Sequence, residues 1–262
     1  MALSVFVIFH DTLDKRNYEQ LSKEEFDMIT FLCVNESIEK TYDTDFFKNV
    51  VYEWKLPIYD PNLQRKHVCD NTMIPKSHFN ETGVHWHIAV NTLCSSEYIY
   101  VCHNDMIFTN GSLLRVKSLL KPGRGVTIAR ATYPQLVQTS TFGSRERYMY
   151  EYTCTTLGID PSVDRFYPMY TNCAMETRLF YEAMPHVFDI NKNLFMDTLP
   201  GPWYRPAITF ERTWAIAMGA VLDEVIVTTG ILHAHPPIEP VIEQTQNGLL
   251  HQYPQFVHSC CK

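Results

Sequence analysis

The 262-residue chain has no Cys-x-x-Cys pair and no zinc-finger spacing. Its eight cysteines are scattered: Cys33, Cys69, Cys94, Cys102, Cys154, Cys173, Cys260 and Cys261. Several fall inside apolar runs, as buried free thiols do. That pattern excludes a disulfide framework and reads as a reducing compartment. The Cys260-Cys261-Lys262 ending does not match a prenylation box and reads as a tail. No apolar run approaches the ~20 residues of a membrane span. Met1 to Phe9 is apolar but has neither a cationic leader nor a small-residue cleavage site, so it reads as a first strand. A cytoplasmic location is the expectation. Positive charge is in short supply too. A formal net charge of −7 argues against a polyanion-binding surface and hence against nucleic acid as partner. Gly123-Arg124-Gly125 is neither a Walker motif nor a dinucleotide fingerprint. Internal repeats, low-complexity tracts and linkers are lacking, which favours one domain over 1–262.

The composition is that of an ordinary globular protein, 45% hydrophobic and 19% charged, long enough for one large core. Aromatic residues make up 13%; they serve a core or stack on bases and sugars equally well. Short unbroken apolar runs predict strands buried on both faces: Ser4–Phe9, Met28–Val34, Val50–Trp54, Tyr98–Cys102, Val126–Ala129, Phe166–Met175 and Glu224–Thr228. Helices are expected over Asn80–Leu93, Leu113–Leu120, Ser144–Leu157, Glu176–Met184 and Ile208–Ala220. The alternation predicts an α/β domain with a doubly wound, mostly parallel sheet flanked by helices. A nucleotide-binding part over 1–110, an acceptor-binding part over 111–240 and a tail over 241–262 is the simplest division.

The feature richest in chemistry is the strand Tyr98–Cys102, which stops abruptly at His103-Asn104-Asp105. Ligands of open α/β sheets collect at the carboxyl ends of strands. An Asp there is placed to hold a divalent ion that bridges a diphosphate; a loop-capping Asp is the plainer alternative. The run Tyr98 to Met106 resembles the strand and Asp-x-Asp motif of the GT-A glycosyltransferases, with His103 in the place of the first Asp. The likeness is to polysaccharide-type members, bacterial or giant-virus, and extends to Val51–Pro57 and Asn80–His85. It spans roughly residues 3 to 235. It implies a Rossmann-like GT-A fold, a nucleoside-diphosphate sugar donor (UDP-linked by base rate) and a glycan or glycoprotein acceptor. It also implies a metal at Asp105. With His103 in the motif, Mn²⁺ suits the donor set better than Mg²⁺.

Further residues follow from the same frame. His233-Ala234-His235 follows a strand; residues two apart on an extended segment face one way, so both are candidate ligands of the same ion. His85 and His87 repeat the spacing, but on a helix they face different sides. Phe210-Glu211-Arg212-Thr213-Trp214 resembles the Phe-x-Glu-Arg segment of polysaccharide glycosyltransferases, which implies Glu211 as general base and inversion. The alternative is a helix-start Glu favoured by the macrodipole. Arg212 is expected to pair with Glu211 or to contact phosphate or acceptor. His10, Asp11, Glu36 and Asn104 are expected around the nucleotide, Arg130 and Lys121 around its phosphates. Tyr170, Asn172 and Trp203 are expected on the acceptor side, with burial in the core as the alternative for each. Two other functions stay open at this point. One is a metal-dependent hydrolase using the His-rich segments. The other is a non-catalytic domain that binds sugar or nucleotide.

Overall fold

The computed structural model describes residues 1–11, 13–39, 41–61, 63, 80–138, 144–197 and 206–233. Trp203 and His235, with Cys69, Cys260 and Cys261, lie outside them. In chain order the elements are β1 (Leu3–Phe9), α1 (Lys23–Phe26), β2 (Ile29–Cys33), β3 (Val50–Tyr52), α2 (Asn80–Val90), β4 (Tyr98–His103), β5 (Met106–Phe108), α3 (Ser112–Leu119), β6 (Arg124–Thr127), β7 (Arg130–Thr132), α4 (Tyr133–Gln138), α5 (Ser144–Leu157), β8 (Phe166–Pro168), β9 (Cys173–Glu176), α6 (Thr177–Asp197), α7 (Pro206–Val221), β10 (Glu224–Val227) and β11 (Ile231–His233).

Seven strands form one sheet in the order β10-β6-β9-β4-β1-β2-β3. Neighbours run parallel except β9, which is antiparallel to both β4 and β6. The expected mostly parallel α/β sheet is what forms. The reason lies in the strands' side chains: β1 and β4 are apolar at nearly every position and bury both faces. On β4, Ile99 and Val101 enter one core with Val84 and Ile88 of α2 and with Phe180, Met184, Phe210 and Trp214 of α6 and α7. Tyr98, Tyr100 and Cys102 enter the other, with Tyr18, Phe31, Phe108 and Leu113. Each fully buried side chain of this kind contributes about 1.5–3 kcal/mol. Cys33, Cys94, Cys102, Cys154 and Cys173 are free and buried.

Four expectations change. The run Phe166–Met175 is not one strand: β8 and β9 are separated by a turn in which Tyr170 and Thr171 both have positive φ, 61° and 47°. The predicted strand Val126–Ala129 begins two residues earlier and ends at Thr127. Val50–Trp54 shortens to β3, because Glu53–Lys55 form a 3-10 turn. Finally, α6 does not stop before Pro185 but continues through it to Asp197. An interior proline costs a helix about 3 kcal/mol. Here an unbroken buried stripe of Phe180, Met184, Val187, Ile190, Asn191 and Leu194 offsets that cost.

Candidate active site

The chain leaves β1 in one direction to β2 and β3, and β4 lies on its other side. In open α/β sheets such a reversal is where ligands bind, outside the carboxyl ends of the strands, here those of β1 and β4. His10 and Asp11 follow β1; Asn104 and Asp105 follow β4. Asn104 Nδ2 donates to Asp11 Oδ1 at 2.6 Å, and its backbone N–H donates to the Ile8 carbonyl at 2.9 Å. Asn17 Nδ2 donates to the Asn104 carbonyl at 3.1 Å, and Asn35 Nδ2 to the His10 carbonyl at 2.9 Å. His10 Nε2 is 3.8 Å from Asp11 Oδ2. The ends of β1, β2 and β4 are thus laced together by amide side chains. The charges of Asp105, Asp14 and Asp11 all reach the Tyr18 hydroxyl, which burial first, Cys102 next and then these carboxylates hold well above the usual phenol range. This end of the sheet is acidic.

Asp105 meets His233 here. Gly230 turns the chain back after β10 with φ +90°, and β11 then pairs antiparallel with β5, setting His233 opposite Met106. A side chain at Gly230 would bring a Cβ to 2.8 Å from Thr109 Oγ1. The Gly230 carbonyl also accepts from Thr109 N–H at 3.0 Å and Thr109 Oγ1 at 2.8 Å. The result is His233 Nε2 at 2.8 Å from Asp105 Oδ2, with the carboxylate 36% exposed and the imidazole 14%. Burial opposes protonation of His233. The hydrogen bond and charge of Asp105, with Glu211 adding, outweigh it, so the imidazole lies above its usual value. The Tyr170 ring stacks on the same imidazole, with centroids 5.0 Å apart and planes 20° apart.

The second turn of α7 supplies Glu211, whose charge His233 feels. Since α7 begins at Pro206 and has no acidic residue in its first turn, the helix-start reading of Glu211 does not hold. Arg212 Nη1 lies 3.5 Å from Glu211 Oε1, with the guanidinium buried and the carboxylate partly exposed. Behind them Asn191 Nδ2 of α6 donates to Thr213 Oγ1 at 2.7 Å and to the Val187 carbonyl at 2.8 Å. Phe210 is fully buried against His85, ring centroids 4.9 Å apart. His103 points to this side, its ring 6.5 Å from that of His85. His85 is fully buried among Phe180, Phe210 and Trp214. Neither of its ring nitrogens has a hydrogen-bond partner among the described residues. Burial, then the neighbouring His103, drives its basicity well below that of a free imidazole. His87 leaves α2 in another direction. Its Nδ1 is 2.7 Å from Glu53 Oε1 in the interior, and its Nε2 accepts from Asp60 N–H at 3.1 Å. An acceptor at Nε2 places the ring proton on Nδ1, donating to Glu53.

Several candidates take other places. Asn172, expected to face an acceptor, is fully buried: Oδ1 accepts from the Tyr100 hydroxyl at 2.9 Å and Nδ2 lies 3.5 Å from Met106 Sδ. A side chain committed on both sides and shut from solvent is a structural support and not an acceptor contact. Lys121 precedes β6, which runs parallel to β4, so it stands at the opposite edge of the sheet from Asp105. It cannot serve a phosphate at the carboxyl ends. The Arg130 guanidinium is committed to the Val225 carbonyl and to the face of Phe166, 3.8 Å from the ring centroid. Glu36 stands exposed on a 3-10 turn capped by Asn35.

One contributor escaped the sequence reading. Glu25 closes a capping box with Ser22 on α1, and the same carboxylate accepts from the N–H groups of Gly111 at 3.0 Å and Leu113 at 2.9 Å. It therefore caps α3, the helix that follows Asp105 and β5. The Ser22-x-x-Glu25 spacing announces the local box; nothing in the sequence announces the second helix.

Among the described residues, no three His, Cys, Asp or Glu side chains converge into a complete metal cage. Asp105 and His233 bring one carboxylate oxygen and one imidazole nitrogen to 2.8 Å of each other. Among the described residues, no helix is long and apolar enough to cross a membrane.

No protein-family model and no curated protein matches the chain. Among solved structures, it is similar to the galactosyltransferase LgtC in complex with donor and acceptor sugar analogs, at 8% identity and a TM-score of 0.42, over 86% of this chain and 73% of that one. An active-site mutant of LgtC aligns at 7% identity and a TM-score of 0.37, over 86% and 72%. The apo bifunctional glycosyltransferase WbbM aligns at 13% identity and a TM-score of 0.35, over 74% of this chain and 37% of that one.

Proposed function

We propose that this chain is a glycosyltransferase, moving a sugar from a nucleoside-diphosphate donor to a hydroxyl of a glycan or glycoprotein acceptor. The observation that carries this reading is Asp105: a carboxylate at the switch point of a doubly wound sheet, hydrogen-bonded to a histidine returned by a separate strand. Asp105 and His233 would hold a divalent cation, manganese by their donor chemistry, with diphosphate and water completing its shell. When bound, the cation neutralises the departing diphosphate. Asp11 and Asn104, with His10 and Glu36 nearby, are the proposed nucleotide side. His103 remains a further candidate ligand at the motif's first position, and His235 a second one after β11. Glu211 is the proposed general base, taking the acceptor hydroxyl's proton, with Arg212 beside it. Trp203 is proposed for the acceptor side. The hydrolase reading draws nothing from the first His-x-His pair, since His85 and His87 point into separate surroundings.

The test is a donor screen in Mn²⁺ reading nucleoside diphosphate release, run with UDP-, GDP- and dTDP-hexoses and a glycan acceptor panel. One donor is expected to be turned over, and Asp105→Ala to abolish release. Stabilisation by a nucleoside diphosphate with no release from any donor would make the chain a binding domain. Unchanged turnover in Asp105→Ala would remove Asp105 from the chemistry.

A further inference from the structure

We infer that Tyr170 is a positioning residue, whose ring fixes the His233 imidazole in the orientation that presents Nε2 to Asp105. Three observations converge on it. The two rings are nearly parallel at stacking distance, so the tyrosine covers one face of the imidazole and limits its rotation. The turn that carries Tyr170 is held in an uncommon shape. Tyr170 and the β-branched Thr171 are consecutive residues in the left-handed region, where L side chains crowd the backbone. That shape persists because both ends of the turn are fastened. Met169 N–H donates to the Ala129 carbonyl at 3.0 Å, and Thr127 Oγ1 donates to the Asn172 carbonyl at 2.5 Å.

The third observation links the turn to the site itself. The buried Asn172 side chain joins the Tyr100 hydroxyl on β4 to Met106 on β5. Met106 is the residue whose register partner on β11 is His233. One framework therefore carries both rings, and the left-handed turn is the segment of the β8–β9 connection that presents the Tyr170 face to His233. A histidine oriented by a second residue is how sites of this kind hold the right ring nitrogen toward a ligand.

The inference rests on the glycosyltransferase reading for its functional meaning but is tested independently of it. Tyr170→Phe and Tyr170→Leu are compared with wild type in two measurements. The first is the ¹H–¹⁵N spectrum of the His233 ring; the second is Mn²⁺ affinity with UDP, GDP or dTDP present, from the free-Mn²⁺ EPR signal. The phenylalanine variant is expected to keep the ring-current shift and single tautomer of His233 and to bind Mn²⁺ within about twofold of wild type. The leucine variant is expected to lose both signatures and bind about tenfold more weakly, a factor worth ~1.4 kcal/mol, while unfolding within a few degrees of wild type. A leucine variant with an unchanged His233 spectrum overturns the inference, as does equal loss of affinity in both variants, which would assign the effect to the phenol hydroxyl. If wild type binds no Mn²⁺, the functional reading fails while the spectrum still decides the positioning.

Discussion

The carboxylate of Glu25 caps a helix that begins more than eighty residues later in the chain, accepting from Gly111 N–H and Leu113 N–H. Gly111 stands at the N-cap of α3 with φ +78° and has no side chain to do this work. Glu25 thus fastens α3, which follows Asp105 and β5, to α1, the helix between β1 and β2. Burial opposes its ionisation. Hydrogen bonds from Gly111, from the hydroxyl and N–H of Ser22, and from Leu113 outweigh that and hold the carboxyl below the usual glutamate value.

The sign of the pH effect follows. A carboxyl whose folded pKa is depressed stabilises the fold fully above its unfolded value, about 4.3. The contribution is lost as pH falls from there toward the folded value. Glu25→Gln is expected to lower stability at pH 7 by about 2 kcal/mol, as hydrogen bonds to a charged group are worth. The gap between variant and wild type is expected to narrow below about pH 4. Urea melts at pH 7, 5 and 3.5 measure it, and a gap independent of pH would show that the charge contributes nothing.

Gly230 is expected to be indispensable to the site and less so to the sheet. Its φ of +90° and the 2.8 Å approach of Thr109 Oγ1 leave no room for a Cβ. Gly230→Val is expected to cost about 1–3 kcal/mol in strain and to unseat β11, carrying His233 away from Asp105. Thermal melting and a Mn²⁺ titration on the same sample should show a modest drop in Tm and a loss of binding. Full binding after this change would mean that His233 is no ligand.

The central sheet was readable because strands buried on both faces are written as unbroken apolar runs, and Asp105 because such a run ends on it. The parts that escaped are those fixed by distant partners. β5 and β11 have three residues each, too few for any period, and exist because they pair with one another. The left-handed turn at Tyr170 and Thr171 carries no glycine to mark it, so the chain there read as one strand. Pro185 read as a helix end because a local rule was applied where the packing of α6 on α7 decides. Asn172 read as an acceptor contact or a core residue alike, and only the fold decides by enclosing it between Tyr100 and Met106. Trp203 and His235 fall outside the described residues.

His85 is expected to be expensive to keep. It is fully buried among aromatic rings, and neither nitrogen has a hydrogen-bond partner among the described residues. An unsatisfied buried polar group costs about 1–3 kcal/mol. His85→Leu, of similar volume, should therefore raise the unfolding midpoint by a few degrees. A lower midpoint would instead reveal a buried water bonded to the imidazole, which the leucine cannot hold.

Glu211 decides the stereochemistry of the proposed reaction. Its carboxylate lies 3.5 Å from the buried Arg212 guanidinium and within electrostatic reach of His233. A general base contributes about 10²–10⁴ in rate. Glu211→Gln keeps the shape and removes the proton acceptor. It should lower kcat by that range while KM for the donor and the Mn²⁺ affinity change less than about threefold, since a base acts in the transition state and not in donor binding. Direct attack by the deprotonated acceptor inverts the anomeric centre, so the NMR coupling of the product's anomeric proton should report the opposite configuration to the donor's. A retained configuration, or a variant with wild-type kcat, would leave Glu211 as a residue of the second turn of α7 that only pairs with its arginine.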